Sequence, residues 1–353
     1  MKYIGLDVHK QYSVACILDE ESGELNHVRL NNLHSEFEKL FSGESSHYRA
    51  VLEAGRSSYL VYDLIKDMVE EIQIANPMKV KVIASEAVKT DKVDSYALAQ
   101  LLRIGWVPQC HIRELDNRLQ LYLLRHRLFL VRMRTMVKNN IHALVDRQAE
   151  SIRRSRPYKT DLFGKTGRQW LEGIVLPPQE ARLLGNLLEL LAKQEELIKN
   201  SDRWINDLFQ FDPIAQHLAT IPGIGRFLAL IIRTEIDDIS RFRTVDKLHC
   251  YAGLVPSTSS SGGKTYHGSM IRNCNKWLKY AFIEAVWPAI ANSYEIERIY
   301  RKYQRHKHAN MAKSITARHL ATIVYRLWTE DRDYLPEKVL AKTKHNRVAF
   351  TCA

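Results

Sequence analysis

The spacing of apolar residues changes near residue 113, and that change limits what this chain can fold into. Upstream, apolar residues come in strand-length runs: Tyr3-Ile4-Gly5-Leu6-Asp7, Ser13-Val14-Ala15-Cys16-Ile17-Leu18, His27-Val28-Arg29-Leu30, Tyr48-Arg49-Ala50-Val51-Leu52-Glu53 and Ile72-Gln73-Ile74-Ala75. Glu21-Ser22-Gly23-Glu24 and Asn76-Pro77 supply turn residues between or after them. Helical spacing runs from Asn32 to Leu40, from Tyr59 to Val69 with Leu60, Leu64 and Met68 in line, and from Asp91 to Ile104 with Val93, Ala97 and Leu101 on one side. Strands alternating with helices predict an α/β domain over residues 1–112.

Downstream the pattern is helical. One long helix is predicted from Glu114 to about Arg147, with Leu115, Leu119, Tyr122, Leu123 and Leu130 set among arginines and Lys138. Residues 151–178 read as a basic, turn-rich connector containing Gly164, Gly167, Pro177 and Pro178. A second long helix follows from about Gln179 to Phe209. Its near-heptad seam of Leu184, Leu188, Leu191 and Ile198 is interrupted by Glu195, which suggests a helix pair, within the chain or between subunits. Residues 113–210 are therefore expected to be a long-helix, coiled-coil-like connector. Residues 211–330 are expected to form a mainly α-helical domain punctuated by Ile221-Pro222-Gly223-Ile224-Gly225, Gly253-Leu254-Val255-Pro256 and a loop from Ser257 to Gly263, and 331–353 a basic tail.

Charge separates along the same boundary. The net charge is +12, yet residues 1–112 hold 12 basic and 16 acidic residues, leaving 40 basic and 24 acidic for the rest. An acidic head on a basic body suits a polyanion held by one part and processed by another. No apolar run approaches the roughly 18 residues that span a bilayer, and Asp7 interrupts the start where a secretory signal needs an apolar stretch. A cytoplasmic protein without membrane contact is the expectation. The five cysteines, Cys16, Cys110, Cys250, Cys274 and Cys352, form no C-x-x-C pair, which argues against a disulfide framework or a structural zinc site.

Four acids stand where they can converge. Asp7 and Glu53 end strand-like runs, and Asp91 and Asp94, three apart at a helix start, share one helix face. Alone, each has an ordinary reading, as a helix-start residue favoured by the dipole or as a lone strand-end acid. Together they offer the oxygen ligands that hard cations need. Two Mg²⁺ ions about 3.5–4 Å apart can hold the attacking and leaving oxygens of a phosphodiester, with Mn²⁺ as a substitute.

Two glycine-rich segments are further candidates. Ile221 to Gly225 has the look of a helix-hairpin-helix element, in which Gly223 and Gly225 would let backbone N–H groups approach a phosphate; a tight turn between packed helices is the alternative. Ser259-Ser260-Ser261-Gly262-Gly263-Lys264 has the composition of a plain linker, but it also sets hydroxyls beside the cations Lys264 and Arg272. A serine nucleophile would need a base or electrostatic activation.

Three early strands followed by α-β-α-β-α is the element order of an RNase H-like domain, although a doubly wound nucleotide-binding domain shares it. Taken together, the segments resemble the DEDD transposases, an insertion-sequence family with an N-terminal RuvC-like domain that includes a pilin-gene DNA invertase. The resemblance extends from Tyr3 to about Trp328. Gly5-Leu6-Asp7-Val8-His9-Lys10 is similar to the opening motif, Val51-Leu52-Glu53-Ala54 to the segment with the glutamate, and Lys89-Thr90-Asp91-Lys92-Val93-Asp94 to the third motif. Arg125 to Leu144 resembles the long helix after the catalytic domain, and Ile221 to Gly225 and Tyr251 to Gly263 resemble the C-terminal transposase domain. The likeness implies that Asp7, Glu53, Asp91 and Asp94 bind metal and that Ser261 is the nucleophile. Cys274 and Lys279 stand where the family usually has glycine and arginine, and Glu53-Ala54-Gly55 lacks the usual threonine.

The resemblance further implies a composite site of acids and serine, completed between subunits of a dimer or tetramer, a transient phosphoserine link to DNA, and strand rejoining without ATP. DNA at element ends and target would be the substrate, and some relatives pair an element-encoded noncoding RNA with it. A DNA invertase, a metal nuclease like a Holliday-junction resolvase, and a DNA-binding protein without activity are the competing readings. An RNase H-fold kinase is more remote, because Val8-His9-Lys10 offers neither the glycine nor the hydroxyl that cradles ATP phosphates.

Overall fold

The computed structural model describes residues 1–42, 47–83, 90–157 and 161–336. Lys89 of the third acidic motif, Cys352 and most of the expected basic tail, from residue 337 on, lie outside the described residues. The chain divides into two compact units, Met1–Glu114 and Leu115–Ala353.

The first unit is built on a five-stranded sheet in the order β3-β2-β1-β4-β5. Its strands are β1 (Lys2–Val8), β2 (Tyr12–Asp19), β3 (Leu25–Asn31), β4 (Tyr48–Glu53) and β5 (Glu71–Ala75). The first three are antiparallel neighbours, whereas β4 runs parallel to β1 and β5 parallel to β4. Helices α1 (His34–Leu40) and α2 (Ser58–Ile65) cover one face; α3 (Pro77–Ile83) and α4 (Asp91–Arg103) belong to the other. The alternation of strand side chains divides the core accordingly. Ile4, Leu6, Ala50 and Leu52 pack with Phe37, Val61 and Ile65, while Tyr3, Cys16 and Val51 pack with Val80, Leu98 and Leu102. Burial pushes the Cys16 thiol up to about 11.

One residue controls how closely α4 lies on the sheet. A Cβ on Gly5 would fall 2.0 Å from the Ser95 carbonyl oxygen and 2.5 Å from the Ala99 amide nitrogen. The backbone of α4 therefore rests directly on β1, at a distance only glycine permits. Helix α3 was not foreseen. Asn76-Pro77 reads as the end of a strand, but proline is also favoured in the first turn of a helix, and the Asn76 side chain accepts from the Met78 and Lys79 amides.

In the second unit, α5 (Leu115–Asp146) and α8 (Pro178–Gln210) form an antiparallel pair within the chain. Leu124 and Leu128 share a core with Ile205, and Leu144 shares one with Leu184. The interruption of the seam at Glu195 has a partner: both its carboxylate oxygens accept from Arg168, at 2.5 and 2.7 Å. Arg168 lies on α7 (Lys165–Gly173), inside the stretch expected to be a turn-rich connector, which also contains α6 (Glu150–Ser155). Leu171 buries against the α5–α8 pair, so tertiary packing stabilises helices too short to be read from pattern.

The rest of this unit packs α9 (Pro213–Ala219), α10 (Arg226–Ile236), α11 (Val245–Tyr251), α12 (Lys276–Asn292), α13 (Tyr294–Gln304) and α14 (Ala309–Glu330) around one core. Ser257 to Gly263 is not a loop. Strands β6 (Pro256–Ser261) and β7 (Lys264–Met270) form a hairpin closed by Gly262 and Gly263, at φ +56° and +75°. Two glycines at positive φ suit a two-residue hairpin turn; the serine run, lacking apolar alternation, hides the strand. Among the described residues, Cys16, Cys110, Cys250 and Cys274 form no disulfide, and no helix is long and apolar enough to cross a membrane.

A buried ion pair ties this core together. Glu235 of α10 is fully buried and accepts from Arg125 of α5 at 2.7 Å and from the Asn275 side chain at 2.8 Å. Arg125→Ala would remove the Arg125 guanidinium from that carboxylate. Because the arginine is one-third exposed, the expected cost is at the low end for such pairs, about 3 kcal/mol, read as a lowered thermal midpoint. At Gly5 the obstacle is backbone, which cannot swing aside. Gly5→Ala is expected to cost about 3 kcal/mol, the upper end for an inserted methyl, read as a lower urea midpoint with an unchanged slope.

Candidate active site

The sheet and α4 bring the four acids together. Gly5 faces α4, so strand alternation puts Asp7, two residues on, on that same face. Val51 packs on that face too, and Glu53 follows it by two. The parallel register pairs Gly5 with Val51 and Leu6 with Leu52, which leaves Asp7 and Glu53 at matching positions on adjoining strands. Asp91 and Asp94 occupy the first turn of α4, whose N-cap, Thr90, accepts from the Val93 amide at 3.3 Å. Carboxylates are favoured there by the unpaired N–H groups of the helix start.

Asp7, Glu53, Asp91 and Asp94 all line one open, polar cleft of about 410 Å³, together with His9, Thr90 and the Val8 and Ala54-Gly55 segments. The cleft therefore presents mainly carboxylate oxygens. One donor atom from each of Asp7, His9 and Asp91 lies within 4.8 Å of the others. This donor set fits a divalent cation, which would relieve the repulsion between neighbouring carboxylates.

His9 was not foreseen. Val8-His9-Lys10 figures in the sequence as part of the opening motif and as a poor phosphate loop, with no role for His9 itself, although the alternation that selects Asp7 also points to residue 9. Its Nε2 lies 3.1 Å from Asp91 Oδ2 and 3.5 Å from Asp7 Oδ2.

The candidates in the second unit fall into two groups. Ser261 ends β6 and is exposed, paired in register with Lys264 across the hairpin turn. It makes no side-chain hydrogen bond among the described residues, whereas neighbouring Ser260 bonds Thr265 at 3.0 Å. Lys264 and Arg272 are also exposed. The hairpin's base is firmly held. The Asn275 amide donates to the Tyr251 carbonyl at 2.8 Å, and its side chain bonds Glu235 and the Tyr251 hydroxyl while capping α12. Glu235, buried and distant in sequence, gave no sign of this role.

Gly223 and Gly225 lie between α9 and α10. Gly223 has φ +86°, and a Cβ there would fall 2.3 Å from the Ala285 carbonyl of α12, so packing against α12 requires glycine at this position. Gly225 is the N-cap of α10. At Gly253, φ +66°, a Cβ would meet Cys274 Sγ at 2.4 Å and Lys279 Cδ at 3.4 Å, so these two unusual residues pack at the start of the hairpin segment.

Comparison with known proteins places both units among transposases. A family model described as "Transposase" and labelled for DEDD transposases of the IS110 type matches residues 4–149, and the "Transposase IS116/IS110/IS902 family" model matches residues 215–301. The transposase for insertion sequence element IS1111A of Coxiella burnetii is 24% identical over 267 residues, covering 75% of this chain and 71% of that protein. The transposase for insertion sequence element IS1328 of Yersinia enterocolitica is 24% identical over 287 residues, covering 79% and 83%. A 43.6 kDa protein of insertion element IS110 from Streptomyces coelicolor is 33% identical over 101 residues, covering 29% and 25%. The first model takes in all four acids and nearly all of the unit that bears them, and the second most of the segment from α9 to α13 with its hairpin; this chain belongs to the IS110-type DEDD transposases of insertion sequences, enzymes that act on DNA.

Proposed function

We propose that the first unit is an RNase H-like, RuvC-like nuclease module in which Asp7, Glu53, Asp91 and Asp94 hold two Mg²⁺ ions, with Mn²⁺ able to replace them. The convergence of these acids on one cleft carries the proposal, and three antiparallel strands followed by two parallel ones support the fold. Bound metal would neutralise charge on the phosphodiester and activate it as an electrophile.

Ser261 is the proposed nucleophile. Its hydroxyl oxygen attacks phosphorus and gives up its proton; the P–O bond to the leaving strand breaks, and that strand departs as a free hydroxyl. A phosphoserine diester then retains the energy of the broken bond. Attack by a hydroxyl of another strand reverses the step, restores Ser261 and needs no ATP. Ser261 has no base hydrogen-bonded to it, so its activation depends on the composite site that the family resemblance implies, completed in a dimer or tetramer.

Residues 113–210 serve as the connector and 211–330 as the transposase domain. Gly223 and Gly225, through backbone N–H groups, and Lys264 and Arg272, through charge, would contact element-end and target DNA. The excess of basic residues after position 112 also suits an element-encoded guide RNA, because phosphate contacts dominate nucleic-acid affinity.

The exposed, unpartnered Ser261 hydroxyl also permits a second reading, a metal nuclease that activates water. Strand exchange on element-end DNA separates the two. Alanine at Asp7, Glu53, Asp91 or Asp94 should lower the rate by at least about 10³-fold, and Ser261→Ala should do the same while abolishing a detergent-resistant protein–DNA adduct. Full strand exchange by Ser261→Ala would establish the nuclease reading instead.

A further inference from the structure

Among the described residues lining the acidic cleft, His9 is the one that carries a side-chain nitrogen, and its surroundings fix its position. It directly follows β1, and its amide donates to the Tyr12 carbonyl at 2.9 Å. Its own carbonyl accepts from the Asn32 side chain at 2.9 Å, and Asn32 is held in turn by the buried Ser13 hydroxyl at 2.6 Å. The imidazole lies against Tyr12, with ring centroids 4.6 Å apart, and the Tyr12 ring carries the Arg29 guanidinium at 3.9 Å. Backbone and ring are thus both anchored on the β1–β2 turn.

The exposed part of this residue is not the nitrogen facing the acids. Nε2 is buried and has no hydrogen-bond partner of acceptable geometry, although Asp91 Oδ2 is 3.1 Å away and Asp7 Oδ2 is 3.5 Å away. A histidine placed only to pair with a carboxylate would aim its N–H at one oxygen. Here the nitrogen sits near two oxygens and bonds neither. Adjacent donors around a six-coordinate ion with bonds of about 2.1 Å are about 3.0 Å apart, close to these spacings.

We propose that His9 is a nitrogen ligand of the cation held by Asp7 and Asp91, giving the site a mixed oxygen–nitrogen donor set. This rests on the metal-binding reading above and refines it. Imidazole discriminates in favour of first-row transition-metal ions over Mg²⁺ more strongly than carboxylates do. His9 therefore biases the cleft toward transition-metal ions such as Mn²⁺, and Tyr12 and Asn32 hold the residue in place at the cleft.

The test is electron spin-echo envelope modulation on Mn²⁺ bound to the full chain, alongside Mn²⁺ and Mg²⁺ titrations. The wild-type protein should show nitrogen modulation. His9→Gln, folded by circular dichroism, should still bind Mn²⁺ but lose that modulation, with affinity for Mn²⁺ weakened about 10-fold and affinity for Mg²⁺ weakened less. Mn²⁺ bound without nitrogen modulation in the wild type, or modulation that persists in His9→Gln, would overturn the role of His9 and leave the carboxylate site standing. Wild-type binding no tighter than that of an Asp7→Asn, Asp91→Asn double variant would overturn the metal site itself, and this inference with it.

Discussion

The close approach of α4 to β1 at Gly5 is the constraint on which the acidic cleft depends. With no side chain there, the helix backbone rests on the strand, and the first turn of α4 ends up beside the end of β1. Asp91 and Asp94 come to Asp7 because of a missing Cβ two residues earlier. Glu53 joins them through the parallel pairing of β4 with β1, which keeps positions 7 and 53 level. Two features of backbone geometry thus gather four negative charges that would otherwise repel one another. Such an arrangement is stable with a counter-charge, and divalent cations provide the densest one.

The second unit achieves order by different means. Its hairpin is exposed and polar, contributes little to the core, and needs support from below. Glu235 supplies it: one buried carboxylate engages Arg125 on α5 and Asn275 at the start of α12, and Asn275 in turn bonds Tyr251 at the end of α11. The two chain segments that enter and leave the hairpin are therefore fastened to each other and to the long helix. Charge-assisted bonds in a buried setting are strong when every partner is present, and this network fastens the hairpin base beneath an exposed Ser261.

Much of this was legible from residue spacing. Strand-length runs located β1, β2, β4 and β5 closely, and the helical spacing after Glu114 located α5 and α8 almost to the residue. Asp7, Glu53, Asp91 and Asp94 were found because strand ends and helix starts are recognisable in sequence. Other features were hidden for physical reasons. The β6–β7 hairpin has serines where a strand normally shows apolar alternation, leaving Gly262-Gly263 as its one signal. Helices α6 and α7 are too short to carry a period, and α7 depends on Leu171 and the Arg168–Glu195 pair. His9 and Glu235 matter through residues distant in sequence, Asp91 in one case and Arg125 in the other, and such pairings are set by tertiary packing alone.

The central claim is that Asp7, Glu53, Asp91 and Asp94 form one cation site. A crystal structure of the full chain grown with Mn²⁺, with data collected at the manganese absorption edge, addresses it directly. An anomalous peak is expected about 2.2 Å from carboxylate oxygens of Asp7 and Asp91, with Glu53 and Asp94 lining the same cleft. A map with no anomalous density among these residues, or with α4 lifted from Gly5 and the acids dispersed, would contradict it.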